Sequence, residues 1–296
     1  MSSISNEGLP DDYQWFSDQI AGHHPSVIKN GKREIGILKI PGSQEILKPK
    51  QDASRGEKEV SLYQLLSSTF SSSSTSSSTT SSDELRNGVQ FEDVETLRKL
   101  TAKFYGMRTL HVDDEDREFL ILEDVTSEYR RPAILDLKMG KVTYDPLATP
   151  EKIQKESIKY PPQEVMGLRI LGYRIHRSDE QVEVRDKDWG KSFDQNNIQE
   201  GLREFFSARD TDLHAVIREA LLKLQAIKHF FQTQKSFQFF ASSLLFVYET
   251  HEDFPIQLRI VMIDFSHIFQ SNGQRDEGYL FGVENLENFL NSIISA

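Results

Sequence analysis

Residues 132–140 read Pro-Ala-Ile-Leu-Asp-Leu-Lys-Met-Gly, and this apolar run predicts a buried strand. Because successive side chains of a strand alternate between its two faces, Asp136 and Lys138 point to the same face. A carboxylate next to an ammonium group can orient a hydroxyl while the cation contacts a phosphoryl oxygen. A solvated strand face carries the same pair of residues, so the pattern alone leaves both interpretations open.

A second stretch, Arg-Ile-Val-Met-Ile-Asp-Phe at 259–265, places Asp264 at the end of another apolar strand. A buried carboxylate is costly unless it is paired or binds a metal. At the carboxyl end of a strand in a cleft, Asp264 is a candidate Mg²⁺ ligand, and a turn or N-cap aspartate is the alternative. We expect this strand to pair with Leu244–Tyr248.

The residues before these strands predict a smaller antiparallel unit. Turn signals at Asn30-Gly31 and Pro41-Gly42 separate short apolar runs, which is typical of hairpins. Further predicted elements are helices at Tyr13–Ile20, Arg55–Leu66 and Glu92–Phe104, and strands at Glu45–Lys48, Thr109–Val112 and Glu118–Leu122. This order is typical of a nucleotide-binding lobe that ends in a hinge, here Leu-Glu-Asp-Val at 122–125.

The remaining residues predict a larger α+β lobe. Its helices are expected at Thr149–Tyr160, Ile198–Phe206, Asp212–Thr233 and Val283–Ser295, with a strand at Val165–Ile175. We therefore expect two domains, 1–125 and 126–296. Residues 71–82 are only Ser and Thr, so the loop 67–84 is expected to be disordered, because such a tract buries almost no apolar surface.

Composition excludes several classes of protein. The 296 residues contain no cysteine, which excludes disulfides and cysteine-based catalysis. No apolar run is long enough to span a membrane, and no secretory signal is expected. Neither a P-loop nor the motifs of ordinary protein kinases occur. With a net charge of −11, nucleic acid is a disfavoured partner, and a polyanionic ligand would need a local basic pocket.

One predicted helix supplies such a pocket. Thr149-Pro150-Glu151 has the residues of a helix start, and Lys152, Lys155 and Lys159 follow on one face. Glu156 lies on a nearby side of the helix and opposes a uniformly basic surface. A surface helix of mixed charge is the alternative interpretation.

Several motifs, taken in order, resemble the inositol polyphosphate kinase family. Besides Asp-x-Lys-x-Gly and Ile-Asp-Phe, the chain carries Gln-Ile-Ala-Gly-His at 19–23, Leu-Lys-Pro at 47–49, Arg-Gly at 55–56, the hinge, Ser-Ser-Leu-Leu at 242–245 and Asp-Glu-Gly-Tyr at 276–279. The resemblance covers roughly residues 19–294 apart from the Ser/Thr tract. Tyr-Asp-Pro at 144–146 and Lys-Tyr-Pro at 159–161 favour the multikinase branch of that family.

The resemblance implies a two-lobed, kinase-like α+β fold with antiparallel sheets in each lobe and an ATP cleft between them. Lys48 would hold the α- and β-phosphates of ATP, steadied by Glu59, and Asp264 would hold Mg²⁺. Glu123 and Val125 would contact adenine through their backbone groups. Asp124 is a candidate for the ribose or, alternatively, a solvated hinge residue.

At the reacting centre, the resemblance implies that Asp136 orients or deprotonates the acceptor hydroxyl and that Lys138 bridges the γ-phosphate and the acceptor. The residues implied to contact the inositol phosphate are Arg55, Lys138, Lys152, Lys159 and His267.

The expected function is ATP-dependent phosphorylation of inositol tris- and tetrakisphosphates towards the pentakisphosphate. A hexakisphosphate kinase that makes diphosphates is the alternative within the family. A catalytically inactive, kinase-like scaffold is the alternative of another class, and the presence of the four charged residues Lys48, Asp136, Lys138 and Asp264 argues against it. We expect a monomer in the cytoplasm, the nucleus or both.

Overall fold

A computed structural model describes residues 6, 8–20, 28–29, 32–68, 88–178, 180–209 and 212–295. Its first elements are strands β1 (Gln14–Trp15), β2 (Ile28–Lys29), β3 (Lys32–Arg33), β4 (Leu38–Lys39) and β5 (Glu45–Pro49), helices α1 (Ala53–Ser67) and α2 (Phe91–Leu100), and strands β6 (Phe104–Val112) and β7 (Glu115–Glu123). Five of these strands form an antiparallel sheet in the order β1-β4-β5-β7-β6, and β2 pairs with β3.

The second part of the chain builds another sheet. Its elements are β8 (Pro132–Met139), α3 (Pro150–Lys159), α4 (Pro162–Met166), β9 (Leu168–His176), β10 (Val182–Arg185), α5 (Lys187–Gly190), α6 (Ile198–Phe206), α7 (Leu213–Thr233), β11 (Phe237–Phe239), β12 (Ser243–Glu249), β13 (Arg259–Ile263), β14 (Ile268–Gln270) and α8 (Glu277–Ser295). The antiparallel order is β10-β9-β8-β12-β13, so β8 lies in the middle of this sheet.

The main hydrophobic core joins α1, α2 and β7 to the second sheet and to the helices that pack against it. Helices α7 and α8 pack against each other, and their apolar stripes are buried. Strand β8 has seven buried residues of eight, as a central strand covered on both faces requires. A smaller cluster around Trp15, Leu38 and Phe119 stabilises the first sheet. None of the described helices combines the length and apolar character that a membrane crossing requires.

The two-lobed α+β fold confirms the expected fold class, whereas some element predictions were wrong. The predicted helix at Tyr13–Ile20 is instead β1, because Trp15 is buried against Leu38 of the neighbouring strand. Val165 lies in α4 rather than in β9. Helix α1 extends through Ser67, the first residue of the predicted Ser/Thr loop. Residues 69–84 of that loop and 21–23 of the Gln-Ile-Ala-Gly-His motif lie outside the described residues.

Candidate active site

A cavity of about 240 Å³ opens between the two sheets. Strands β5, β8, β12 and β13, the residues that follow β7 and the segment 16–20 line its walls. Six of the predicted site residues contribute to this lining: Lys48, Glu123, Asp124, Val125, Asp136 and Asp264. Residues from both halves of the chain therefore meet in one cleft.

Three of the predicted residues form an ionic group at one end of the cavity. The ammonium of Lys48 on β5 contacts Glu59 Oε1 on α1 at 2.7 Å and Asp264 Oδ1 at 2.6 Å. Burial alone would lower the pKa of Lys48, but these two carboxylates raise it, so the lysine stays charged. Glu59 is fully buried, and the same oxygen also accepts the backbone N–H of Phe265 at 3.2 Å. Glu59 therefore positions both Lys48 and the loop that carries Asp264.

Asp264 lies directly after β13 in the left-handed region, with a φ of 65°. Aspartate is among the few residues that enter this region at modest cost, and such conformations cluster at functional sites. The side chain of Asp264 is 36% exposed, whereas its Lys48 and Glu59 neighbours are mostly or fully buried. One edge of its carboxylate therefore faces the open cleft.

Asp136 lies on β8 and is 4% exposed. Within the described part of the chain, its Oδ1 has no hydrogen-bond partner. Burial and the neighbouring Asp264 carboxylate raise the pKa of Asp136 to about 7. A carboxyl group with a pKa of about 7 can accept a proton near neutral pH. The neighbouring carboxylate of Asp264 can hold a cation.

Lys138 lies two residues further along β8, and its ammonium donates to the Ala241 carbonyl at 2.9 Å. Burial lowers the pKa of Lys138, while Asp264 and Asp136 act in the opposite direction. Lys138 takes part in no ion pair among the described residues. Its charge is thus available to an anion from outside the chain.

Arg169 is a site residue that the sequence interpretation missed. It lies on β9 directly opposite Lys138, so both cations share one face of the sheet. Arg169 is 5% exposed, and no hydrogen bond or ion pair among the described residues involves its guanidinium group, which lies over the Tyr160 ring. The only signal in the sequence was an arginine inside the apolar run 168–171, and the register that faces it to Lys138 is tertiary information.

The predicted hinge residues are held by their side chains. Glu123 forms a bidentate ion pair with Arg259, in which Nη1 and Nη2 lie 2.7 and 3.1 Å from the two carboxylate oxygens. Asp124 is 1% exposed, pairs with Lys39 and accepts both the N–H and the hydroxyl of Thr126. The alternative that Asp124 is a solvated hinge residue is therefore wrong. Its carboxylate fixes the chain where it leaves the first sheet.

The predicted substrate residues separate into two groups. Lys152 and His267 both contact Asp145, with Arg55 close enough to influence the pKa of His267. Lys159, by contrast, lies near Lys138 and acts on its pKa. Lys159 also contacts Glu156 at 3.4 Å, so this carboxylate partly balances the basic face of α3.

The donor set fits a divalent cation that is shared with a ligand. No cluster of three or more His, Asp or Glu side chains converges as a complete metal site in the described ranges. Magnesium is commonly held by only one or two carboxylates together with substrate phosphates. The partly exposed carboxylate of Asp264 provides one such group, and the buried carboxylate of Asp136 lies beside it.

The fold and the site define a protein of the kinase-like class. Two antiparallel sheets enclose a cleft, with a Lys–Glu pair on one wall and two carboxylates on the other. The chain belongs to the inositol polyphosphate kinase family, whose sequence profile, described as "Inositol polyphosphate kinase", matches residues 119–291.

The similar proteins lie within this family. The chain is 31% identical to the human inositol polyphosphate multikinase over 278 residues, which cover 94% of this chain and 61% of that protein. It is 31% identical to mouse inositol hexakisphosphate kinase 3 over 208 residues, covering 61% of this chain and 52% of the relative. The chain thus spans only about half to three fifths of the length of these relatives.

A solved structure supports the fold. The inositol phosphate multikinase of S. cerevisiae, in complex with ADP and Mn²⁺, superposes with a TM-score of 0.65 at 19% identity. The match covers 85% of this chain and 100% of that one.

Proposed function

We propose that this chain is an ATP-dependent kinase that phosphorylates inositol polyphosphates, taking tris- and tetrakisphosphates towards the pentakisphosphate. The observation that carries the proposal is the convergence of Lys48, Asp136 and Asp264 at one end of the cleft, although 216 residues separate the first from the last. Lys138 and Arg169, which form no ion pair with any described residue, lie beside Asp136 and supply the local basic pocket that an acidic chain needs for a polyanion.

On the nucleotide side, Lys48 exchanges its contact with Asp264 for the phosphates of ATP, while Glu59 keeps the ammonium in place. This exchange releases the Asp264 carboxylate. Asp264 would then hold Mg²⁺, which would neutralise charge on the phosphates. The apolar walls of the cavity, including Ile46, Leu122 and Ile263, suit the flat face of a base.

On the acceptor side, Asp136 takes the proton of the attacking hydroxyl. The hydroxyl oxygen forms a bond to the γ-phosphorus as the bond to the β-phosphate oxygen breaks, and ADP leaves. A base with a pKa of about 7 suits this transfer at neutral pH. Lys138 stabilises the negative charge of the transferred group from the same face of β8.

The similarity to mouse inositol hexakisphosphate kinase 3 supports a second candidate function, the formation of diphosphates on the hexakisphosphate. Both reactions use the same nucleotide machinery. They differ in the acceptor, which is a ring hydroxyl in one case and an existing phosphate group in the other.

A substrate panel separates these candidates. Purified protein is incubated with ATP, Mg²⁺ and an inositol tris-, tetrakis- or hexakisphosphate, and the products are resolved by anion-exchange chromatography. We expect turnover of the first two, and a Lys138→Met control lowered by about 10²–10³-fold, because one charged contact to the transferred group is lost. Turnover of the hexakisphosphate alone would favour the second candidate. Absence of turnover on every acceptor would contradict both.

We further propose that the domains divide at residue 125 and that the protein works in the cytoplasm, the nucleus or both. Support for the division comes from the two sheets, since the first ends at Glu123 and the second begins at Pro132. Support for the compartments comes from the absence of cysteine, which suits a reducing environment.

A further inference from the structure

Asp145 lies at the centre of the group formed by Arg55, Lys152 and His267, and nothing above gives it a role. It is 8% exposed, and its Oδ1 accepts the backbone N–H of Leu147 at 3.0 Å. Its Oδ2 lies 2.6 Å from Nδ1 of His267 and 3.7 Å from the ammonium of Lys152. The carboxylate is therefore held by its own turn and has one fixed oxygen directed at the imidazole.

This contact decides which ring nitrogen of His267 carries the proton. An ionised carboxylate can only accept hydrogen bonds, so Nδ1 must donate to it. Burial lowers the pKa of His267, and Lys152 and Arg55 add to this effect, against the opposing influence of Asp145. Burial alone would raise the pKa of Asp145, but its contacts with His267, Leu147 and Lys152 lower it. The pair is thus an anionic carboxylate and a neutral imidazole.

In a neutral imidazole protonated at Nδ1, the Nε2 atom is an acceptor. No hydrogen bond from any described residue reaches Nε2 of His267, whose side chain is 16% exposed. A ring hydroxyl can donate a hydrogen bond to this atom. A phosphate group at neutral pH offers mostly acceptor oxygens, which face the lone pair of Nε2 unfavourably.

We propose that Asp145 is a positioning residue that keeps His267 as a hydrogen-bond acceptor, so that this corner of the site selects an inositol with a free hydroxyl over one phosphorylated there. The inference rests on the proposed function and makes it more specific. Arg55 and Lys152 remain the contacts for neighbouring phosphates. The hexakisphosphate, which has no free hydroxyl, is disfavoured at this position.

Asp145→Asn tests the inference because it reverses the hydrogen bond. In the Asn variant, the side-chain oxygen still accepts the backbone N–H of Leu147. The amide nitrogen therefore takes the place of Oδ2 and donates to Nδ1 of His267. Nε2 then carries the proton and becomes a donor. We expect the affinity for the hexakisphosphate relative to the trisphosphate, measured by calorimetry, to rise about tenfold, as one reversed hydrogen bond implies.

The ¹⁵N spectrum of the imidazole reports the tautomer directly. We expect a protonated Nδ1 for His267 in the unsubstituted protein at pH 7 and a protonated Nε2 in the Asn variant. Asp188→Asn removes the same charge from an exposed residue, 71% accessible, and is the matched control that leaves both readouts unchanged. A protonated Nε2 in the unsubstituted protein would overturn the inference.

A double-mutant cycle separates positioning from a plain charge effect. If Asp145 acts through the imidazole, Asp145→Asn has no further effect on relative affinity in a His267→Gln background. An equal effect in both backgrounds means that charge alone decides, and the inference fails. Either failure differs from that of the proposed function, which shows as absent turnover on every inositol phosphate.

Discussion

At the scale of single residues, like charges lie close together in the candidate active site. Asp136 is buried beside a second carboxylate, and the half-buried Lys138 lies opposite Arg169 with no ion pair among the described side chains. Like charges placed this way destabilise the folded chain. Under the proposed function, a phosphorylated ligand with bound metal would supply the missing opposite charges and relieve this repulsion.

Asp136→Asn should therefore lose activity and gain stability. The raised pKa means that folding favours protonated Asp136, so the cost appears as pH rises from about 4 through about 7. At pH 8 we expect the variant to be more stable to urea by about 1–3 kcal/mol, with the difference shrinking at pH 4. For the unsubstituted protein, we expect kcat/KM to rise as pH increases through about 7, because Asp136 must be ionised to accept a proton. For the variant, we expect kcat/KM to be about 10²–10⁴-fold lower and to show no such rise. Equal stability at pH 8 would contradict this account.

At the scale of elements, the end of strand β8 is held by close packing as well as by hydrogen bonds to its neighbours β9 and β12. Gly140, with a φ of 95°, ends β8, and its N–H donates to the Gly167 carbonyl. Helix α8 packs directly on Gly167. A Cβ at Gly282 would lie 2.1 Å from the Gly167 oxygen and 3.3 Å from Met139 Cε. The end of β8, α4 and α8 are thus one packing unit.

Gly282→Ala should destabilise this unit, because the backbone carbonyl of Gly167 cannot move aside cheaply. We expect a loss of about 1–3 kcal/mol in the free energy of urea unfolding. Gly278→Ala, in the first turn of the same helix, is the matched control. Its Cβ meets nothing nearer than 3.6 Å, so we expect no loss and a gain of up to about 1 kcal/mol. Similar effects of both substitutions would exclude close packing as the cause.

At the scale of the whole molecule, several contacts tie the first sheet to the second around the cleft. The guanidinium of Arg259 on β13 grips Glu123 at the end of β7. Asp18, which follows β1, accepts a hydrogen bond from Nε2 of His176 on β9 at 2.8 Å. These contacts set the relative position of Lys48 on one sheet and Asp136 on the other.

The Glu123–Arg259 pair should make stability depend on acid. Although burial alone would raise the pKa of Glu123, its bonds to Arg259 and Lys103 lower it, so the stabilisation is present above about pH 4.3 and is lost as pH falls through the lowered value. Glu123→Gln should cost about 1–3 kcal/mol at pH 7 and progressively less below pH 4. Glu115→Gln, in an exposed pair on the same strand, should cost less than about 1 kcal/mol. A cost for Glu123→Gln that stays constant with pH would rule out the ion pair as its source.

Local patterns predicted much of the fold and part of the site. The apolar runs of β8 and β13, the Thr-Pro-Glu start of α3 and the same-face placement of Asp136 and Lys138 follow from periodicity and capping, which act over a few residues. The helix expected at Tyr13–Ile20 was wrong because β1 forms only through pairing with a distant strand.

The sequence by itself determined which charges sit on which strand ends, since side-chain alternation and helix spacing are local properties. Only the tertiary structure decided which of those charges meet. The register of β8 against β9 brings Arg169 opposite Lys138, and loop closure over 122 residues brings Asp145 to His267. Contacts of this kind depend on the packing of the whole chain, so no window of sequence contains them.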